Sequence, residues 1–179
     1  MSMLESPSTK EELGKKIMQV AYKTGDFTLS SGKKSDYIFD KYAFETRPEL
    51  LDAITTHIAE MVPPDTKKLA GMEIGGIPLV TALSIRTALP FVIIRKAAKG
   101  HGITRQIEGQ LSKGDRVALI EDVVTTGGQS LVGVDVLRSA GAVVEDVICV
   151  IDREEGGREN IEAKDLVFNT LFTKSALMA

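Results

Sequence analysis

The chain is poor in the residues that staple, cage or anchor a protein. Its 179 residues include one cysteine and two histidines. A single cysteine excludes an intrachain disulfide and a thiolate metal cage. Cys149 falls inside the apolar run Val147-Ile148-Cys149-Val150-Ile151, where it reads as a buried, inert thiol. Two histidines do not make a typical zinc site without carboxylates placed to help. His57 stands beside Ile54 and Ile58 in a helical pattern and reads as structural. No apolar stretch approaches the roughly 20 residues needed to cross a bilayer, and Met1 to Glu12 is polar and charged, without the apolar centre of a signal peptide. A cytoplasmic protein with no membrane contact is expected. The net charge of −3 gives no footing for nucleic acid as the main partner. Neither a Gly-x-x-x-x-Gly-Lys-Ser/Thr loop nor a Gly-x-Gly-x-x-Gly fingerprint is present, which weakens the NTPase and dinucleotide-binding readings.

What is present is an ordinary globular balance, 43% hydrophobic and 26% charged, in a chain long enough to bury a core. No repeat, low-complexity tract or linker interrupts it, so residues 1–179 are expected to form one domain. Ser8 or Thr9 caps an expected helix to about Thr24, apolar at Leu13, Ile17, Val20 and Ala21, with Gly25-Asp26 stopping it. Phe27–Leu29 and Tyr37–Phe39 read as short strands around Ser30-Ser31-Gly32-Lys33. Pro48 opens a second helix that Pro63-Pro64 ends. The rhythm then becomes strand, glycine turn, helix. Strands are expected at Lys68–Glu73, Phe91–Arg95, Val117–Ile120, Val143–Ile151 and Leu166–Phe172, with helices at Pro78–Ala88 and Gln129–Ala140, the latter ended by Gly141. Short apolar strands alternating with helices predict an α/β fold, a twisted, mainly parallel sheet flanked by helices. Ligands of such sheets bind at the carboxyl ends of the strands.

The most informative segment lies at one of those ends, Val117-Ala118-Leu119-Ile120-Glu121-Asp122-Val123-Val124-Thr125-Thr126-Gly127-Gly128. An apolar strand runs into two acids, then a small-residue loop, then a helix. Backbone amides of such a loop and the helix N-terminus form a nest for phosphate. Glycine admits close approach, and the threonine hydroxyls add donors. Carboxylates beside a phosphate are Coulombically unfavourable unless they hold something else. Vicinal hydroxyls or a cation would be that something, so a ligand with a phosphate at one end and a ribose diol at the other fits both halves.

A second segment, Arg95-Lys96-Ala97-Ala98-Lys99-Gly100-His101-Gly102, follows a strand, and no core periodicity returns before Arg116. A loop this long in a compact domain is usually functional. Its cations are spaced by alanine and glycine and can converge on one polyanion, and its glycines permit closure.

The acid-Thr-Thr-Gly-Gly string resembles the signature of type I phosphoribosyltransferases, enzymes that use 5-phosphoribosyl-1-pyrophosphate (PRPP). The resemblance implies that Glu121 and Asp122 hold the ribose hydroxyls, and that Thr125, Thr126, Gly127 and Gly128 cradle the 5′-phosphate, with Gln129 and Ser130 at the loop's end and Val123 and Val124 also in the PRPP-binding stretch. The basic segment resembles the catalytic loop of orotate phosphoribosyltransferases, which commonly crosses a dimer interface. It implies that Arg95, Lys96, Lys99 and His101 face the pyrophosphate, with Lys99, His101 and Asp122 as the catalytic set. Phe27–Tyr37 resembles that family's N-terminal hood, formed here largely by residues 1–45, and Gly71–Leu79 resembles its pyrophosphate loop. Asp152–Gly157 resembles the turn whose arginine faces the base, so Arg153, with Thr125, is implied in binding orotate. A guanidinium suits the carboxylate of orotate, and it equally suits an ion pair with Glu154 or Glu155. Ser30 and Gly75 depart from the family, many members having lysines there.

The implied reaction is orotate plus PRPP giving orotidine 5′-monophosphate and pyrophosphate, with Mg2+ held mainly by PRPP oxygens rather than by a protein cage. The implied assembly is a homodimer. Three rivals stay open: a phosphoribosyltransferase for another base, a PRPP-sensing regulator built on the same fold, and a structural protein that merely retains the fold.

Overall fold

The computed structural model describes residues 9–28, 34–96 and 106–179. Helix α1 (Lys10–Ala21) opens on a reciprocal cap, in which Thr9 Oγ1 accepts from the Glu12 N–H and the Glu12 carboxylate accepts from the Thr9 N–H. The expected helix to Thr24 stops three residues short. Tyr22 is already extended and begins β1 (Tyr22–Thr28), which pairs antiparallel with β2 (Lys34–Phe39). Cross-strand pairing of Tyr22 with Phe39 and stacking of Tyr22 on Tyr37 outweigh the weak helical preference of Tyr22-Lys23-Thr24. A single turn, α2 (Tyr42–Glu45), follows, and then α3 (Pro48–Ala59), which has proline in its first turn as expected.

The remaining elements alternate: β3 (Lys68–Met72), α4 (Gly76–Thr87), β4 (Phe91–Ile94), β5 (Ile107–Glu108), β6 (Arg116–Val124), α5 (Gly128–Ser139), β7 (Val143–Asp152), α6 (Gly157–Glu162), β8 (Val167–Thr173) and α7 (Lys174–Met178). Among the described residues they form a sheet in the order β5-β4-β3-β6-β7-β8, parallel except where β5 pairs with β4. The α/β architecture with a mainly parallel sheet is therefore as expected, with β6 in its middle. Four short elements, α2, β5, α6 and α7, carry too few turns to print a periodicity on the sequence.

Two cores sandwich the sheet, and the pleat of β6 divides them. Ala118 and Ile120 face a core with α1, α3 and α4, while Val117 and Leu119 face a core with α5 and α6. Cys149 is fully buried in the second core, where the absence of water pushes its thiol pKa up. His57 is half-buried in α3. The pleat carries over to the next two residues of β6, and they are the two acids.

Candidate active site

Glu121 and Asp122 do not follow the strand; they belong to it. The ladder between β6 and β7 continues through Glu121↔Cys149 and Val123↔Ile151 to Val124↔Asp152. The expected strand end at Ile120 is thus four residues early. Charged residues end most buried strands because their desolvation is costly, but both of these have partners. Being adjacent in a strand, they leave it on opposite faces. Glu121, only 6% exposed, accepts a 2.8 Å bond from Ser130 Oγ in the first turn of α5. Asp122, only 3% exposed, accepts from Lys41 Nζ at 2.5 Å on the other face, where Lys41 precedes α2. Both acids open on one cavity of about 250 Å³, whose wall also includes Val123, Val124, Thr125, Thr126, Gly127, Gly128, Gln129 and Lys96.

The rest of that wall is backbone brought close by glycine. Gly127 has φ of +75° and serves as the N-cap of α5, whose first turn has no side-chain cap. Uncapped N–H groups at a helix start attract phosphate. Behind the nest stands α6. A Cβ at Gly157 would lie 2.5 Å from the Thr125 carbonyl oxygen, and Asn160 Nδ2 donates to the Thr126 carbonyl at 3.0 Å. Across the cavity, the β3–α4 turn is equally tight: a Cβ at Gly71 would meet the Gly76 carbonyl oxygen at 2.6 Å. Glu73 from this turn accepts from the Lys96 N–H at 2.7 Å.

The electrostatics follow from this packing. Burial, with the charge of Asp122, pushes the carboxyl of Glu121 up to about 7, against the opposing pull of the Ser130 hydrogen bond and of Lys41 and Lys96. Glu45, 1% exposed in α2 and facing Asp122, is pushed up to about 8 by burial and then by that neighbouring charge. No donor reaches either of its oxygens among the described residues. Burial lowers Lys41, yet the hydrogen bond and charge of Asp122, with the charge of Glu45, carry it above its usual value. The cavity therefore holds a cation gripped by buried acids.

Not every expected residue meets there. Arg95 stands at the rim, 4.0 Å from Glu73 and 3.4 Å from Glu108, and does not line the cavity. Arg153 lines a second cavity, with Tyr22, Tyr37, Phe39 and Lys174, and its guanidinium pairs with Glu155 at 2.8 Å. Its backbone N–H donates to the Val124 carbonyl at 2.9 Å, which ties its turn to the end of β6. Lys99 and His101 lie outside the described residues, as do Ser30 and Lys33. Sequence reasoning missed Lys41, Glu45 and Lys174. Each is an ordinary charged residue in its own segment, and only long-range contacts distinguish it.

Paired buried acids running into a glycine nest, on a central strand of a mainly parallel sheet, are an arrangement that belongs with the type I phosphoribosyltransferase fold. Comparison with known proteins sharpens the class. No family model matches the chain. It is 49% identical over 158 residues to the orotate phosphoribosyltransferase of Methanocella arvoryzae, covering 88% of this chain and 90% of that one. To the Natronomonas pharaonis orotate phosphoribosyltransferase it is 45% identical, with 89% and 91% covered. A crystal structure of Mycobacterium tuberculosis orotate phosphoribosyltransferase in complex with PRPP superposes with TM-score 0.81 at 26% identity, covering 95% of this chain and 99% of that one. The chain belongs to the orotate phosphoribosyltransferase family, whose members are pentosyltransferases. Among the described residues no helix is long and apolar enough to cross a membrane.

Proposed function

We propose that this protein transfers the ribose 5-phosphate of PRPP to orotate, giving orotidine 5′-monophosphate and pyrophosphate in pyrimidine (UMP) biosynthesis. The observation that carries the reading is the convergence of Glu121, Asp122 and the Thr125–Gly128 nest on one cavity. The nest holds the 5′-phosphate and the acids hold the ribose hydroxyls. The anomeric carbon is then presented toward the β3–α4 turn and Lys96. Breaking its bond builds positive character on the sugar and negative charge on the departing pyrophosphate. Cations at that end stabilise the leaving group, and Lys99 and His101, next to Lys96 in the chain, are assigned there with Arg95. No side chain acts as a covalent nucleophile. The rate comes from positioning and charge stabilisation.

Orotate is assigned to the Arg153 side. Tyr37 and Phe39 supply apolar walls, Thr125 reaches from the nest, and Arg153 faces the carboxylate by exchanging Glu155 for it. No group of three or more metal-ligating side chains occurs among the described residues, and both cavity acids already have partners. This donor set fits a Mg2+ that arrives on the oxygens of PRPP, where the ion neutralises leaving-group charge. The whole chain is read as one phosphoribosyltransferase domain, with residues 1–45 largely as hood. In the cytoplasm it works as a homodimer that shares the 96–110 loop across the interface, with no nucleic acid or membrane partner.

Mixing the protein with PRPP, Mg2+ and orotate and following the orotate ultraviolet absorbance tests the reading. Loss of the orotate band with release of pyrophosphate is expected. Turnover of adenine or hypoxanthine in place of orotate would overturn the choice of base.

A further inference from the structure

Lys41 enters the cavity from outside every motif that marks the site. It belongs to the connection between β2 and α2, and its Nζ reaches across to Asp122 Oδ2 at 2.5 Å. Its side chain keeps about a third of its surface (34%) exposed, and it lines the same cavity as the phosphate nest. Among the described residues on that wall, Lys41 and Lys96 are the cations.

The position of the ammonium explains an adjacent glycine. A Cβ built on Gly75 would fall 1.5 Å from Asp122 Oδ2 and 3.1 Å from Lys41 Nζ. Such overlap with a buried carboxylate forces a displacement, so the side-chain volume above residue 75 is already occupied by the Lys41–Asp122 pair. Gly75 has φ of −64°, a backbone geometry open to any residue. Steric room for that pair is therefore the reason for glycine, and backbone freedom is not.

An ammonium has three N–H donors, and among the described residues Lys41 Nζ gives one of them to Asp122. Its seat is over the β3–α4 turn, with Nζ 3.1 Å from a Cβ built on Gly75. A ligand whose 5′-phosphate fills the nest and whose diol meets the acids directs its second anionic arm toward this turn. That arm would otherwise run past Glu73, Glu121 and Asp122, all of which line the cavity, and like charges repel strongly at such distances.

We propose that Lys41 is a pyrophosphate-binding residue: its ammonium, seated over Gly75 and steadied by Asp122, contacts the pyrophosphate arm of PRPP. The inference rests on the functional reading above and goes beyond it. It moves a phosphate-binding cation from the loops that surround the substrate to the base of the hood, so that the hood orders the leaving group as well as the base.

Calorimetric titration of inorganic pyrophosphate, PRPP and ribose 5-phosphate, each with Mg2+, into the full-length protein tests it. Lys41→Met is expected to weaken pyrophosphate and PRPP by about 10–100-fold, the range of one charge-assisted hydrogen bond, and to leave ribose 5-phosphate within about twofold. Lys41→Arg should retain most of the pyrophosphate affinity. Gly75→Ala, whose Cβ displaces Asp122 Oδ2 as well as Lys41 Nζ, should weaken pyrophosphate comparably and ribose 5-phosphate as well. Lys41→Gln, with the same expectation as Lys41→Met, carries the test if circular dichroism shows that Lys41→Met does not fold. Unchanged pyrophosphate affinity in Lys41→Met and Gly75→Ala would overturn the inference. An equal loss for ribose 5-phosphate in Lys41→Met would do so too, because Lys41 would then act only by holding Asp122. A parent protein that binds neither PRPP nor pyrophosphate would instead overturn the functional reading itself.

Discussion

Two of the cavities of this molecule are built in opposite ways. The cavity over β6 is polar, and most of its wall is one unbroken stretch, Glu121 to Ser130. The cavity beside it is walled by Tyr22, Tyr37, Phe39, Ile151 and Leu177, which come from the hairpin, the sheet and the last helix, with Arg153 and Lys174 as its cations. A polyanion is recognised by backbone amides and fixed charges, and a strand-loop-helix supplies these consecutively. A flat base needs apolar faces on both sides and a few polar groups at its edge, which no single segment provides. On the function proposed above, phosphate recognition is local in sequence, and base recognition is a tertiary property.

The comparison breaks most sharply at Asp122. Asp122→Asn should lower kcat/KM for PRPP by about 100–1000-fold, because it removes a charged acceptor for the diol and leaves Lys41 facing Glu45. Orotate affinity, measured by direct binding, should change by less than about threefold, since the Arg153 cavity is walled by other residues. Equal damage to both substrates would mean that the two cavities act as one. A smaller and complementary effect is expected from Arg153→Ala. The KM for orotate should rise about 10–100-fold while PRPP affinity stays level. A rise in both constants would show that the Arg153 turn works mainly by holding Val124, to whose carbonyl its N–H is bonded.

The same contrast explains what the sequence made legible. The nest could be read because its residues are contiguous and chemically odd together: acids, threonines and glycines after an apolar strand. The sheet could be read because each buried strand prints a short apolar run, as in Val147–Ile151. The end of β6 was not legible, since Glu121 and Asp122 resemble a strand terminus until Ser130 and Lys41 are seen to partner them. The helix expected to reach Thr24 gives way to β1 because Tyr22 and Tyr37 stack, a contact that no local window contains. The short helix α6, six residues long, was hidden for want of turns, yet it braces the nest through Gly157 and Asn160. Glu154 was read as a possible partner of Arg153; instead its carboxylate accepts from the Ser175 N–H at 2.7 Å and anchors α7 against the second cavity.

Glu45 gives the finest probe of how the polar cavity is held. Its pKa of about 8 in the fold lies above the value near 4.3 of an unfolded glutamate. A group raised in this way favours the folded state fully below the lower value, and that contribution is lost as pH rises through the upper one. Burial sets most of the effect; among the charged neighbours Asp122 and Asp40 raise the pKa further, and Lys41 opposes them. Glu45→Gln keeps the shape and the capacity to donate toward Asp122 while removing the titration. Parent and variant should unfold at similar denaturant concentrations near pH 5. From there to pH 9 the parent should lose on the order of 4 kcal/mol relative to the variant, the linkage of a carboxyl raised to about 8 with the opposing charge of Lys41 already included. Glu121, which rises to about 7, titrates in both proteins and cancels from the difference. Denaturant melts of the two proteins at half-unit pH steps measure that gap directly. A gap that stays flat across the range would mean that Glu45 is already ionised in the fold, with Lys41 shared between two carboxylates instead of committed to Asp122.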